Sequence, residues 1–184
     1  MSHRHIDAIG MAWAAECASQ SNDPSTQNGA VIIASDGGFS TGWNHHIDLS
    51  QDDPDVIAAL SRDDKMAAME HAERDAIYLA AKIGFPLEGT TMYALWASCP
   101  ACARAIVLSG ISRVVTWQKL HDLTPDRWRK QVDFGLSILQ GAGVLVDFWP
   151  GEIESSVPFV RFDGREIEIV PLSDEVPAVC ESLN

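Results

Sequence analysis

The chain has 184 residues, of which 46% are hydrophobic and 21% charged. This is an ordinary globular composition, with enough length for a sizeable core. Lys and Arg total 13 against 26 Asp and Glu, a formal net charge of -13. The excess of acid disfavours binding to a nucleic acid polymer or an anionic membrane surface. The N-terminal apolar stretch is too short to span a bilayer, and four unevenly spaced cysteines do not form a disulfide framework, so we expect a cytoplasmic protein.

The first 65 residues predict a helix, a hairpin and a loop. Apolar residues recur at helical spacing from Ile6 to Cys17, which predicts a helix that ends before Pro24. Two apolar runs, 30–34 and 39–44, flank a Gly-containing turn and predict a β-hairpin. Residues 45–65 contain six aspartates, so we expect a long acidic loop with a short helix over 56–60.

The rest of the chain up to residue 149 alternates helices and strands. The predicted elements are a helix from Met66 or Glu70 to Ile83, a strand over 90–96, a helix over 99–109, a strand over 111–117, a helix to Leu139 with Thr124 as N-cap and Pro125 behind it, and a strand over 144–148. This order implies parallel neighbours joined by crossovers, hence an α/β fold in which helices cover both faces of a five-stranded mixed sheet.

The chain changes character at Pro150. Two short apolar runs, 159–162 and 165–170, flank Asp163-Gly164, which predicts a second hairpin. We therefore divide the chain into a body, residues 1–149, and an acidic, Pro-containing C-terminal extension, residues 150–184, which we expect to pack on the body or on a neighbouring subunit.

The sharpest chemical signal is His71-Ala72-Glu73 followed by Cys99-Pro100-Ala101-Cys102. Two thiolates and one imidazole form a three-ligand zinc site that leaves the fourth position open, which is typical of a catalytic zinc. Cys99 and Cys102 share one face of a helix's first turn, where the helix dipole favours thiolates. In a regular helix His71 and Glu73 lie about 200° apart, so they share a site only if His71 starts its helix. Glu73 is then the expected proton carrier.

This combination of H-x-E and C-x-x-C is the signature of the zinc nucleobase deaminases. Residues 6–149 resemble the cytidine/deoxycytidylate deaminase superfamily, and most of all its deoxycytidylate deaminase branch. The residues that carry the resemblance are Asp23-Pro24-Ser25-Thr26-Gln27, Gly29 to Ile33, Gly42-Trp43-Asn44, His71-Ala72-Glu73 with Ala76-Ile77, Met92-Tyr93, Cys99-x-x-Cys102-Ala103, Ser109-Gly110-Ile111 and Val114-Val115.

The resemblance implies a cytidine-deaminase-like three-layer α/β/α fold and one zinc ion per chain, held by His71, Cys99 and Cys102, with Glu73 as the catalytic proton shuttle. It also implies a homo-oligomer, because members of the superfamily assemble through the helices that bear the zinc ligands.

The resemblance also implies substrate contacts. Asn44 occupies the place of an asparagine that holds the sugar, and the backbone N–H of Ala72 and the carbonyl at Ala97 or Ser98 fall where the family grips the pyrimidine. Trp117 stands where an aromatic side chain commonly packs on the base or sugar, although a core role at the strand end is equally compatible with its position.

Three positions depart from the family pattern. Ser98 precedes Cys99 where relatives have proline, and Asn28 replaces an apolar residue, which places an extra amide near the pocket. His45-His46 and the acidic loop follow Asn44 where the branch has Gly and Pro. We expect the six aspartates of this loop to border the pocket, so a phosphate-bearing substrate needs Arg62, Lys65 or another subunit's arginine to meet it.

We expect a zinc-dependent hydrolytic deaminase that converts a cytosine (deoxy)nucleotide, dCMP in the first place, to the uracil product and ammonia. A nucleoside, a modified pyrimidine or a purine base is an alternative substrate. A non-catalytic zinc-containing binding module is the alternative of another class, and the intact Glu73 argues against it. The acidic composition disfavours a tRNA deaminase, so we expect a small-molecule partner, with no nucleic acid polymer and no membrane.

Overall fold

The computed structural model describes residues 3–47 and 53–172. The helices in these ranges are α1 (His3–Ala18), α2 (Pro54–Ala59), α3 (Arg62–Ala68), α4 (Ala72–Ile83), α5 (Pro100–Leu108), α6 (Gln118–Asp122) and α7 (Asp126–Gly141). The strands are β1 (Gly29–Ile33), β2 (Phe39–Trp43), β3 (His45–His46), β4 (Met69–Glu70), β5 (Thr91–Ala94), β6 (Arg113–Trp117), β7 (Leu145–Trp149), β8 (Glu154–Ser155), β9 (Phe159–Phe162), β10 (Arg165–Glu168) and β11 (Val170–Pro171). Across the described ranges, no helix combines the length and apolar character that a membrane crossing requires.

The central sheet has five strands in the order β2-β1-β5-β6-β7. Strand β1 pairs antiparallel with both β2 and β5, whereas β5, β6 and β7 run parallel. Helices α5 and α7 provide the crossovers between the parallel strands. The predicted mixed sheet is therefore confirmed.

Helix α1 and the C-terminal extension cover one face of the sheet. Met11 and Ala14 of α1 pack in one buried cluster with Tyr93 and Val115 of the sheet. Gly29 permits the close approach of α1, because a Cβ atom at this position would lie 2.0 Å from the carbonyl oxygen of Ala14. The helix therefore packs directly on the backbone of β1.

Helices α4, α5 and α7 cover the opposite face. Their buried residues, among them Ala76, Ile106 and Leu139, cluster with Ile32 and Met92 of the sheet. A Cβ atom at Gly42 would lie 2.3 Å from the backbone nitrogen of Ala76. Gly42 of β2 thus allows the first turns of α4 to lie directly on the sheet.

The predicted C-terminal hairpin is present as β9 and β10, which pair antiparallel. Its turn consists of Asp163 (φ 53°) and Gly164 (φ 75°), two left-handed residues as expected for Asp-Gly in a two-residue hairpin. Val160 and Phe162 are buried in the α1 cluster. The hairpin thus packs on the body, while the division at residues 149 and 150 stays a prediction.

The acidic segment is more ordered than a loop. His45 and His46 form β3, which pairs with β4, and helices α2 and α3 occupy much of the remainder. The side chains of Asp53 and Ser61 cap α2 and α3 by accepting hydrogen bonds from the backbone N–H groups of Asp55 and Asp64. Capping by Asp and Ser, with acids in the first turn, favours helices. The predicted short helix over 56–60 corresponds to α2, whereas the expectation of a loop is wrong where β3 and α3 form. Residues 48–52 lie outside the described ranges.

The predicted N-cap of α7 is also wrong. The helix begins at Asp126 with Pro125 in the N-cap position, and the short helix α6, which the sequence did not predict, precedes it. The hydroxyl of Thr124 instead accepts a hydrogen bond from Trp96 Nε1 (2.9 Å) and donates one to the carbonyl of Leu120 (3.2 Å). The hydroxyl of Thr124 thus makes a tertiary contact with Trp96 instead of capping α7.

Candidate active site

Two helix N-termini meet at the edge of the parallel strands and carry the predicted zinc ligands. His71 is the N-cap of α4, with extended backbone (φ -97°, ψ 145°), and Cys99 is the N-cap of α5. His71 therefore starts its helix, as its spacing from Glu73 requires. Cys102 lies one turn into α5 and is fully buried. We call His71, Glu73, Cys99 and Cys102 the floor of the site.

The ligand atoms of His71, Cys99 and Cys102 fit a metal ion. They lie within 4.8 Å of one another. His71 Nδ1 is 3.7 Å from Cys99 Sγ and 3.5 Å from Cys102 Sγ. Tetrahedral zinc with ordinary bond lengths places a nitrogen and a sulfur ligand about 3.6 Å apart. The cluster therefore has the donor types and the spacing of a three-ligand zinc site.

The floor favours one thiolate even before a metal binds. A hydrogen bond from Cys102, followed by contacts with His71, lowers the pKa of the Cys99 thiol to about 3. The same hydrogen bond and burial raise the pKa of Cys102. The pKa of His71 is raised, chiefly by its hydrogen bond to Cys99. A divalent cation would compensate a second thiolate, so this set of groups suits a dication.

Glu73 is the carboxylate of the floor. Glu73 is only 2% exposed, and burial raises the pKa of its carboxyl group. Among the described residues, its Oε2 atom has no hydrogen-bond partner, and neither has the buried Oγ of Ser98. An unsatisfied buried carboxyl oxygen is costly unless a ligand completes it. Glu73 is thus poised for a group that enters the cavity.

The floor opens into a cavity of about 450 Å³. Of the predicted substrate contacts, Asn28, Asn44, Ala72 and Ala97 line it. It also takes in residues that the sequence did not predict as site residues, which are Asp23, Ser25, Thr26, Met66, Met69, Trp96, Ala101, Arg127, Trp128, Gln131, Val132 and Asp163. They come from the loops after α1 and β5, from α3, β4, α5 and α7, and from the C-terminal hairpin turn.

The two asparagines hold one wall of the cavity together. Asn44 Nδ2 donates to the carbonyl of Thr26 (2.7 Å), and Asn44 Oδ1 accepts from the backbone N–H of Asn28 (2.6 Å). Asn28 Oδ1 in turn accepts from the backbone N–H of Trp96 (3.1 Å). Asn28 Nδ2 has no partner within the described ranges, which leaves a donor available to a ligand. Asn44 therefore lines the cavity and also holds the wall in position through these hydrogen bonds.

Two predicted contact residues lie elsewhere. Ser98 is buried and is not among the residues that line the cavity. Trp117 is 1% exposed, belongs to the α1 cluster and donates its indole N–H to the carbonyl of Gly151 (2.9 Å). The structure thus places Trp117 in the core, the role that the sequence left open as the alternative. The tryptophans of the cavity are Trp96 and Trp128.

The solvent-facing end of the cavity carries positive charge. We call Arg62, Lys65, Arg127, Trp128 and Asp163 the mouth of the site. Lys65 pairs with Asp23 (2.6 Å), Arg127 pairs with Asp163, and the guanidinium of Arg62 lies 5.2 Å from the ring centre of Trp128. A further cation, Arg74 on the cavity wall, donates to Glu70 (2.6 Å).

The acidic segment contributes cations rather than acids to this cavity. Arg62, Lys65 and Met66 of α3 line it, whereas Asp53, Asp55, Asp63 and Asp64 do not. The expectation that aspartates of this segment border the pocket is therefore wrong for these four. These four aspartates are exposed, whereas Arg62 and Lys65, the basic residues of α3, line the cavity. His45 and His46 do not line the cavity either.

A three-layer α/β/α fold with a His/Cys/Cys cluster and a buried glutamate at two helix N-termini defines a hydrolase that acts on the C–N bonds of nucleobases. The family model described as "Cytidine and deoxycytidylate deaminase zinc-binding region" matches residues 4–118. The chain belongs to this deaminase family.

Individual relatives agree with the family match. The chain is 33% identical over 135 residues to an uncharacterized deaminase encoded in the luxG 3′ region of Aliivibrio fischeri, covering 73% of this chain and 87% of the relative. It is 40% identical over 76 residues to the deoxycytidylate deaminase of Enterobacteria phage T2, covering 41% of this chain and 36% of that protein. The crystal structure of dCMP deaminase from the cyanophage S-TIM5 in complex with dCMP and dUMP shares the fold, with a TM-score of 0.59, 21% identity and coverage of 81% of this chain and 99% of that one.

Proposed function

We propose that this deaminase binds one zinc ion at His71, Cys99 and Cys102 and converts dCMP to dUMP and ammonia. The observation that carries the proposal is the arrangement of a nitrogen and two sulfur ligands beside a buried, unsatisfied carboxylate, at the bottom of a cavity with cations at its mouth. A phage deoxycytidylate deaminase with 40% identity over the 76 aligned residues supports the choice of substrate.

The residues of the floor and of the cavity wall have separate proposed roles in the reaction. When bound, zinc would act as a Lewis acid that activates water for attack at C4 of cytosine. The free oxygen of Glu73 would take a proton from the attacking water and deliver it to N3 of the ring. The same carboxylate would then carry the remaining hydroxyl proton to the amino group, so that the C4–N bond breaks and ammonia leaves. Its burial raises its pKa, which makes the proton easier to hold between the two transfers. The Ala72 N–H and the carbonyl at Ala97 are the proposed anchors of the pyrimidine, and Asn44 that of the sugar.

The cations of α3 favour a substrate with a 5′-phosphate. Arg62 makes no ion pair with a carboxylate in the described part of the chain, and its guanidinium stacks on Trp128. Lys65 is held beside it by Asp23. A stacked guanidinium with free N–H donors is well suited to phosphate oxygens. Arg62 and Lys65 are the residues that the sequence named as candidate phosphate contacts, and their position on the cavity lining supports a monophosphate substrate.

The substrate assignment is tested by measuring ammonia release by the zinc-loaded protein from dCMP, deoxycytidine, cytidine, and adenine and guanine derivatives. We expect dCMP to be the preferred substrate. Preference for a nucleoside, or for a purine base, would replace dCMP by one of the alternatives. Absence of turnover on every compound would contradict the proposed reaction itself.

The homo-oligomer implied by the resemblance is also part of the proposal. Tyr78 on α4 and Leu108 on α5 are 54% and 86% exposed, so the helices that begin at the zinc ligands still have apolar side chains to cover. A molar mass in solution equal to that of one chain would contradict an oligomer.

A further inference from the structure

The turn of the C-terminal hairpin lies outside residues 4–118, which the deaminase family model matches, yet it forms part of the cavity. Asp163 lines the cavity beside Arg127. The left-handed backbone of Asp163 (φ 53°) is one that Asp and Asn tolerate better than most residues. The two-residue turn thus holds the side chain of Asp163 at the mouth.

The C-terminal hairpin is hydrogen-bonded to the cavity wall that also contains Asn44. Backbone N–H groups of Asp163 and Gly164 donate to Thr26 Oγ1 (3.2 Å) and to the carbonyl of Ser25 (2.8 Å). Gln27 and Arg161 exchange two further hydrogen bonds, at 2.8 and 3.0 Å. The ring of Phe162 contacts that of Trp96 edge-on, with centroids 5.0 Å apart. The turn and the cavity wall therefore form one unit.

Asp163 changes the charge that a ligand meets. Its carboxylate pairs with the guanidinium of Arg127, and both side chains keep contact with water, at 31% and 50% exposure. A pair this exposed contributes little to stability. Its main effect is on the field at the mouth, because the carboxylate neutralises Arg127 and so removes one cation that a negatively charged ligand would otherwise meet.

We propose that Asp163 is a specificity-determining residue that limits the number of negative charges on the 5′-phosphate group of the nucleotide. The inference rests on the proposed nucleotide substrate and refines it. Arg62, which has no carboxylate partner in the described part of the chain, serves a monophosphate together with Lys65, whereas a further phosphate meets an Arg127 already neutralised by Asp163. The C-terminal extension thereby selects nucleoside monophosphates over di- and triphosphates.

The test is Asp163→Asn, because asparagine retains the left-handed turn and removes only the charge. The matched control is Glu166→Gln, which removes one negative charge from the same hairpin at an exposed position outside the cavity. Both variants are first compared with the wild type by thermal unfolding. We expect kcat/KM for dCTP, relative to dCMP, to rise about fivefold in Asp163→Asn through a lower KM for dCTP, and not to change in Glu166→Gln.

Binding of dUMP, dUDP and dUTP to the same three proteins, measured by calorimetry, provides a readout that does not depend on turnover. We expect the affinity for dUTP relative to dUMP to rise in Asp163→Asn alone. An unchanged ratio in Asp163→Asn, an equal change in Glu166→Gln, or no binding of any of the three nucleotides would overturn the inference. Lack of turnover together with the expected binding shift would contradict the proposed reaction and leave the charge selection standing.

Discussion

The floor and the mouth of the cavity are built in opposite ways. The floor consists of buried side chains fixed by the first residues of two helices, and its carboxylate and thiols have pKa values shifted by burial and by one another. The mouth consists of partly exposed side chains from α3, α7 and the C-terminal hairpin, in which Lys65 and Arg127 pair with carboxylates of other segments and Arg62 stacks on Trp128. Under the proposed function, the floor would determine the type of reaction and the mouth the choice of substrate.

The largest effect is expected when a floor ligand is removed. Cys102→Ser should lose the metal and reduce deamination to background, because a hydroxyl does not replace a buried thiolate as a zinc ligand. Metal content by mass spectrometry and ammonia release measure both effects. Cys17→Ser, on α1 and outside the cavity, is the control and should keep both. Stoichiometric zinc in Cys102→Ser would remove Cys102 from the ligand set.

Glu73→Gln should separate metal binding from proton transfer. The amide has the same shape but does not carry the proton, so we expect kcat to fall by about a thousandfold or more while zinc content stays the same. Because the substitution leaves the mouth intact, KM for dCMP should change little. Wild-type turnover in this variant would show that another group moves the proton.

These two predictions concern residues that the sequence identified, and the reason is that their arrangement is local. His71 and Glu73 are two residues apart, and Cys99 and Cys102 are three apart. The helix start at Cys99 was indicated by the pattern, whereas the pattern put the other start at Met66 or Glu70 and only the spacing of His71 and Glu73 required it at His71. The mixed five-stranded sheet with parallel neighbours followed from the alternation of strands and helices.

Apart from Arg62 and Lys65, which the sequence named as candidate phosphate contacts, the mouth was not predictable because its residues come from distant segments. Arg62, Trp128 and Asp163 are separated by 66 and 35 positions and have no common spacing. The choice between Trp96 and Trp117 is equally non-local, since each follows or ends a parallel strand and only tertiary packing decides which faces the cavity. Thr124 shows the same effect, because its bond to Trp96 competes with a helix cap.

Gly42→Ala tests the packing that holds the floor in place. The added methyl group would overlap the backbone of α4, so we expect a loss of about 2 kcal/mol in the free energy of unfolding. Denaturant unfolding measures it. Gly141→Ala, at the end of α7 with nothing within 4 Å of the new Cβ, is the control and should be neutral or slightly stabilising. Equal stability of Gly42→Ala and the wild type would show that α4 does not depend on this contact.

Arg62→Gln probes the mouth and should have the smallest effect of the four. Loss of one charge-assisted contact to phosphate is expected to raise KM for dCMP about tenfold with little change in kcat. KM for deoxycytidine should not change, since it has no phosphate. Arg104→Gln, an exposed helix arginine outside the cavity, is the matched control. A similar rise in KM for both substrates would mean that Arg62 shapes the cavity rather than binding phosphate.

The division between floor and mouth is tested most directly by the ratio of kcat/KM for dCMP to that for deoxycytidine, measured on the zinc-loaded protein. Both substrates present the same cytosine ring to the floor and differ only in the group that reaches the mouth. We predict that the ratio strongly favours dCMP. A ratio near one, or a preference for deoxycytidine, would contradict the assignment of substrate choice to Arg62 and Lys65.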